Sequence, residues 1–102
     1  MQNLVQLSKI FSDPNRVKIL TLVLRDKEVC VCEICDTLAL SQPLVSRHLK
    51  LMKNANILQA LKQGKWVHYS LVNKPSSLLN AFIIETKHFI PALEKLVACT
   101  AK

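Results

Sequence analysis

Three cysteines, Cys30, Cys32 and Cys35, fall within six residues, and a fourth, Cys99, stands alone near the end of the chain. Thiolates are soft donors that select soft metals and metalloids. Three sulfurs match the pyramidal coordination of trivalent arsenic or antimony, whose lone pair fills the fourth direction, whereas structural zinc wants four ligands. The same residues admit redox chemistry, because Cys32-x-x-Cys35, or Cys30 with Cys99, could form a disulfide. Carboxylates at Glu28, Glu33 and Asp36 oppose thiolate formation and so redox reactivity, while a helix N-terminus works the other way. Packing as a small hydrophobe explains Cys35, which shares an apolar helical face, but not three thiols so close together.

A second group of residues is basic. The net charge of +7 arises from 14 Lys+Arg and 7 Asp+Glu, unevenly placed. Residues 1–36 carry five of each sign, whereas residues 37–84 carry Arg47, Lys50, Lys53, Lys62, Lys65 and Lys74 and no carboxylate. A solvated face kept for solubility usually interleaves acids; an acid-free basic stretch is the electrostatic footprint of a nucleic-acid partner. Other classes drop out. Gly64 is the single glycine, so neither a dinucleotide fingerprint nor a phosphate-binding loop can be built, and no organic cofactor is expected. A CxxC thiol oxidoreductase would bring a parallel βαβ pattern, which is missing. No apolar run is long enough for a membrane span, and the N-terminus lacks a secretory pattern. A cytoplasmic protein with reduced thiols is expected.

The elements that must position these groups are mostly helical. Leu4, Leu7 and Phe11 define a short helix over residues 4–11. Asp13-Pro14 then opens a second helix, to about Arg25, with Asp13 as N-cap and Pro14 in the first helical position. A turn over 26–28 leads to a short strand at 29–31 and a helix from Val31 to about Ala39. Ser41 caps a further helix that runs to about Asn54, with Val45, Leu49 and Met52 inward; Asn54 or Asn56 supplies the left-handed cap that glycine usually supplies. Residues 57–62 and 66–71 form a hairpin around Gly64, read as the place where a positive φ is hardest to avoid. A final helical region runs from 76 to about 98, kinked or split by Pro91. The whole is a single domain, residues 1–102, mainly α with a small β-hairpin wing: a winged helix-turn-helix.

Burying Val45, Leu49 and Met52 turns Pro43, Ser46, Arg47 and Lys50 outward, with Gln42 at the N-terminal end where recognition helices meet base edges. Gln reads adenine and Arg reads guanine; Ser46 and Lys50 suit bases or phosphates. His48 falls on the flank, where it meets either DNA or the core. Lys62 and Lys65 flank the hairpin tip, where a wing meets phosphates.

Three segments resemble one family. Phe11-Ser12-Asp13-Pro14-Asn15-Arg16-Val17-Lys18-Ile19-Leu20, Leu40-Ser41-Gln42-Pro43-Leu44-Val45-Ser46-Arg47-His48-Leu49 and Gly64-Lys65-Trp66-Val67-His68-Tyr69-Ser70-Leu71 look like the opening, recognition helix and wing of the ArsR/SmtB repressors. The resemblance covers about residues 4–72 in the same order. It implies a homodimer, joined through the terminal helices, on double-stranded operator DNA with two-fold symmetry and released by an inducer. Departures are Ala39 and Asn56, where the family often has glycine, and Leu61-Lys62, where it often has two arginines.

The segment Glu28-Val29-Cys30-Val31-Cys32-Glu33-Ile34-Cys35-Asp36 resembles the arsenic-sensing branch, which carries the role of binding As(III) or Sb(III) onto Cys30, Cys32 and Cys35. Cd(II), Pb(II), Zn(II) or oxidation stand as alternative triggers; the cadmium- and lead-sensing branch usually adds cysteines N-terminal to this segment, and residues 1–29 contain none. Glu85, His88 and Glu94 do not match the spacing of a zinc site on the last helix. Cys99 reads as an inert thiol or an auxiliary ligand. Cys32 and Cys35 share a helical face, whereas Cys30 and Cys32 point to nearly opposite sides of an ideal helix. All three close on one atom only if Cys30 precedes the helix or the first turn deforms.

Overall fold

The computed structural model describes residues 2–92. Five helices are α1 (Gln2–Ile10), α2 (Pro14–Asp26), α3 (Val31–Leu38), α4 (Gln42–Asn54) and α5 (Ser77–Thr86), and α5 continues into a 3-10 segment, Lys87–Ala92. Three strands, β1 (Glu28–Cys30), β2 (Leu58–Gln63) and β3 (Trp66–Leu71), form one antiparallel sheet in the order β1-β3-β2.

The helix starts are set by local chemistry. The Asp13 carboxylate accepts from the Asn15 N–H at 2.8 Å, with Pro14 in the first helical position. Ser41 and Ser76 accept from the Leu44 and Leu79 N–H groups at 3.4 and 3.2 Å, opening α4 and α5. Each cap satisfies a backbone donor that the helix itself leaves unpaired. At the start of α3, the Glu33 carboxylate turns back to accept from the Cys30 N–H at 3.1 Å.

The inner stripe of α4, Val45, Leu49 and Met52, is fully buried against Ile19, Leu20 and Leu22 of α2 and their neighbours in one core. Each such side chain contributes about 1.5–3 kcal/mol by leaving water, so the orientation of α4 is fixed by its hydrophobic face. The terminal helices meet where Phe11 and Phe82 stack, ring centroids 4.8 Å apart.

The short strand expected at 29–31 lies one residue earlier, at Glu28–Cys30, and pairs with β3, Cys30 opposite His68 and Val29 opposite Tyr69. Asn56 (φ 59) takes the left-handed conformation expected of Asn54 or Asn56, and positive φ is found not only there and at Gly64 (62) but also at Lys27 (71) and Ala39 (55). Ala39 and Asn56 are the two positions where glycine was the family's habit; the backbone conformation persists with a side chain present. Pro91 lies in the 3-10 segment, because its ring forbids an α-helical continuation. The expected extension to residue 98 and Cys99 lie outside the described residues.

Candidate thiol site and nucleic-acid interface

The thiol segment straddles the junction of β1 and α3. Cys30 ends β1 in extended conformation and is buried, so it precedes the helix, one of the two arrangements that three-thiol closure requires. Cys32 lies in the first turn of α3 and Cys35 one turn further on. Cys30 and Cys32 line a cleft of about 340 Å³, together with Val31, Gln42, Lys65, Trp66 and Val67; Cys35 is not among its walls. Among the described residues, no three His, Cys, Asp or Glu side chains are gathered closely enough to hold a metal ion. The three thiols are therefore not gathered on one point, and closing them on one atom requires the segment to rearrange.

Cys35 carries a free thiol, and Cys32 is disulfide-bonded. Cys32 is not paired with Cys35, and the other pairing expected from the sequence involves Cys99, which lies outside the described residues. Burial, and after it the Asp36 carboxylate, raises the pKa of Cys35 and keeps it a neutral thiol.

The residues expected to read DNA are exposed, with one exception. Gln42, Pro43, Ser46, Arg47 and Lys50 are exposed on α4, and Lys62 and Lys65 are exposed at the hairpin. The Lys65 ammonium sits 5.4 Å from the Trp66 ring centroid, a cation–π distance that steadies the charge at the wing tip. Gln42 and Lys65, from helix and wing, reach the same cleft as the thiols.

His48 is the exception. It is only 3% exposed, and its Nδ1 accepts a 3.0 Å hydrogen bond from Arg16 Nε–H. The expectation of a DNA contact at His48 is corrected to its alternative: the ring faces the core. Burial lowers its pKa, Arg16 and Arg47 act in the same sense, and Asp13 opposes them. Arg16 and Trp66 were not singled out from the sequence. Arg16 meets its partner 32 residues away, a distance at which local spacing carries no signal.

A short helix, a tight turn, a second helix with an exposed basic face and an antiparallel hairpin define a winged helix-turn-helix. The comparisons place it more narrowly. Residues 13–63 match the family model described as bacterial regulatory protein, arsR family, and the chain belongs to that family. It is 48% identical over 67 residues to the arsenical resistance operon repressor of Escherichia coli K12, covering 66% of this chain and 57% of that protein. It is 40% identical over 73 residues to a homolog of the cadmium resistance regulator CadC from Staphylococcus aureus, covering 69% and 60%. The chain thus spans about three-fifths of the length of these curated relatives. Among solved structures, HlyU from Vibrio cholerae N16961 superposes with a TM-score of 0.74 at 28% identity, over 86% of this chain and 91% of that one. These relatives are transcriptional regulators, not enzymes. No helix among the described residues is long and apolar enough to cross a membrane.

Proposed function

We propose that this chain is a transcriptional repressor that binds a two-fold symmetric operator as a homodimer and leaves it when As(III) or Sb(III) binds Cys30, Cys32 and Cys35. The observation that carries this reading is the shared cleft: two of the three thiols border Gln42 of the recognition helix and Lys65 of the wing. A ligand that draws the thiols together there disturbs the groups that would hold DNA. Gln42, Pro43, Ser46, Arg47 and Lys50 read or flank the major groove, and Lys62 and Lys65 contact phosphates. The apolar side chains Leu4 and Val5 on α1 and Ile84 on α5 are exposed, which supports pairing of two copies through the terminal helices.

Proton accounting favours a metalloid over a divalent cation. Arsenous acid reacts as As(OH)3 + 3 RSH → As(SR)3 + 3 H2O, with no change in oxidation state and no proton released. A divalent metal must displace protons from the same thiols. The raised pKa of Cys35 penalises the second reaction and not the first. The Cys32 disulfide has to be opened beforehand by a thiol or phosphine reductant. The ligand shifts the operator equilibrium only by its differential affinity for the two protein states; a coupling of about 3 kcal/mol is a 150-fold release.

A second reading, a thiol-redox trigger, is favoured by the disulfide at Cys32. Operator binding by the reduced protein, challenged separately with arsenite, Cd(II) and peroxide, separates the readings. Arsenite should release DNA to a similar extent from about pH 6 to pH 8, whereas any Cd(II) response should strengthen as pH rises. Release by oxidant alone, or arsenite release retained in a Cys30→Ser/Cys32→Ser/Cys35→Ser variant, refutes the metalloid reading.

A further inference from the structure

The Arg16 side chain joins three elements of the fold. Its Nε–H donates to Nδ1 of His48 on α4 at 3.0 Å. Its Nη1 donates to the Lys9 and Ile10 carbonyls at the end of α1, at 3.3 and 3.4 Å. Its Nη2 lies 3.9 Å from the carboxylate of Asp13, the cap of α2. One guanidinium thus connects the terminal helix, the start of α2 and the middle of the recognition helix. His48 is flanked in sequence by Arg47, whose side chain is exposed.

We propose that Arg16 and His48 are positioning residues for DNA binding, and that they seat the recognition helix on the α1–α2 corner only while His48 is neutral. This rests on the reading of α4 as the DNA-reading helix. The Arg16 bond requires a lone pair at Nδ1, so the neutral ring must carry its proton on Nε2. Nε2 is buried without a hydrogen-bond partner among the described residues, a position that cannot stabilise imidazolium. A second proton would put an N–H at Nδ1 against the Arg16 guanidinium. The charged groups acting on the ring are Arg16 and Asp13 from α2 and Arg47 from α4 itself; two of the three repel a cation. Protonation therefore breaks the link, loosens α4 from α1 and α2, and weakens operator binding.

The sign follows from the neutral form being the seated one. Affinity is full above the titration of His48 and falls as pH drops through it. The decline approaches tenfold per pH unit for each His48 from which DNA binding excludes the proton, about a hundredfold for the two of a homodimer. His48→Asn keeps a short acceptor and removes the titration; His48→Leu removes both. Operator affinity is measured by fluorescence anisotropy on the reduced full chain from about pH 8 to about pH 5.5, with the ring followed by NMR in parallel.

Wild type should show an acid limb that coincides with the His48 titration, below the ordinary histidine range. His48→Asn should bind without that limb, and His48→Leu should bind more weakly across the range. Arg16→Gln should raise the His48 titration point, by removing a cation and the donor to Nδ1, and should move the acid limb of operator binding by the same amount. An acid limb unchanged in His48→Asn, or a His48 titration indifferent to Arg16→Gln, overturns the proposal. Failure of wild type to bind operator at pH 8 would instead remove the DNA-binding reading beneath it.

Discussion

Removing single cations from helix and wing should have opposite signatures, and the exposed charges allow the size to be worked out. Lys50, Lys62 and Lys65 are exposed, as is Arg47. In a homodimer the three lysines sum to about six phosphate contacts, which gives a slope of log affinity against log salt of about −5, at about −0.9 per neutralised phosphate. Between about 50 and 200 mM salt that is a loss of about three orders of magnitude. Lys65→Ala removes two contacts per dimer, so the slope should become shallower by about 1.8. Operator and scrambled duplex should weaken alike, because a phosphate carries no sequence. Arg47→Ala should behave differently, costing about 1–3 kcal/mol per half-site on the operator and far less on scrambled DNA. Anisotropy titrations of both duplexes over a salt series measure all of this. A salt slope unmoved by Lys65→Ala, or equal losses on both duplexes for Arg47→Ala, refutes the assignment of wing to backbone and α4 to bases.

Two other perturbations test the frame. Ala39 holds φ 55 at the end of α3, a left-handed conformation that costs a non-glycine residue about 1–2 kcal/mol. Ala39→Gly relieves it against about 0.4–1 kcal/mol of added unfolded-state entropy. At fixed protein concentration the melting temperature should rise by about 2–8 °C; a lower value contradicts the strain. Ile84 is 61% exposed, so Ile84→Lys should leave the fold intact by circular dichroism. It should shift sedimentation from dimer to monomer, and an unchanged dimer would take Ile84 out of the interface.

How much was legible in the sequence differs by element. Helix starts were, because Asp13-Pro14 and Ser41-Gln42-Pro43 write the cap and the first turn into adjacent residues. The inward stripe Val45, Leu49, Met52 was equally plain, since its spacing fixes one face of α4. The β1–β3 pairing was not, because three residues of strand, Glu28 to Cys30, leave no periodicity and their partners lie about forty positions away. His48 sat at the boundary of two faces, and only the Arg16 side chain, brought in by tertiary packing, decides its direction. The thiols were conspicuous as a motif, yet their spacing gave no hint that Cys35 is absent from the walls of the cleft bordered by Cys30 and Cys32.

The strand order β1-β3-β2 has a mechanical meaning. Backbone pairing at Cys30–His68 makes β1 the fulcrum of the hairpin. From His68 to the turn at Gly64 and Lys65 the lever arm is three to four residues, about 10–13 Å of strand. A tilt of about 15° at the fulcrum carries the tip about 3 Å, the length of a hydrogen bond. A displacement at Cys30 too small to disturb the core could thus lift Lys65 off a phosphate. The hairpin would then act as a pointer geared to the thiol segment, reporting its state at the rim of the DNA surface.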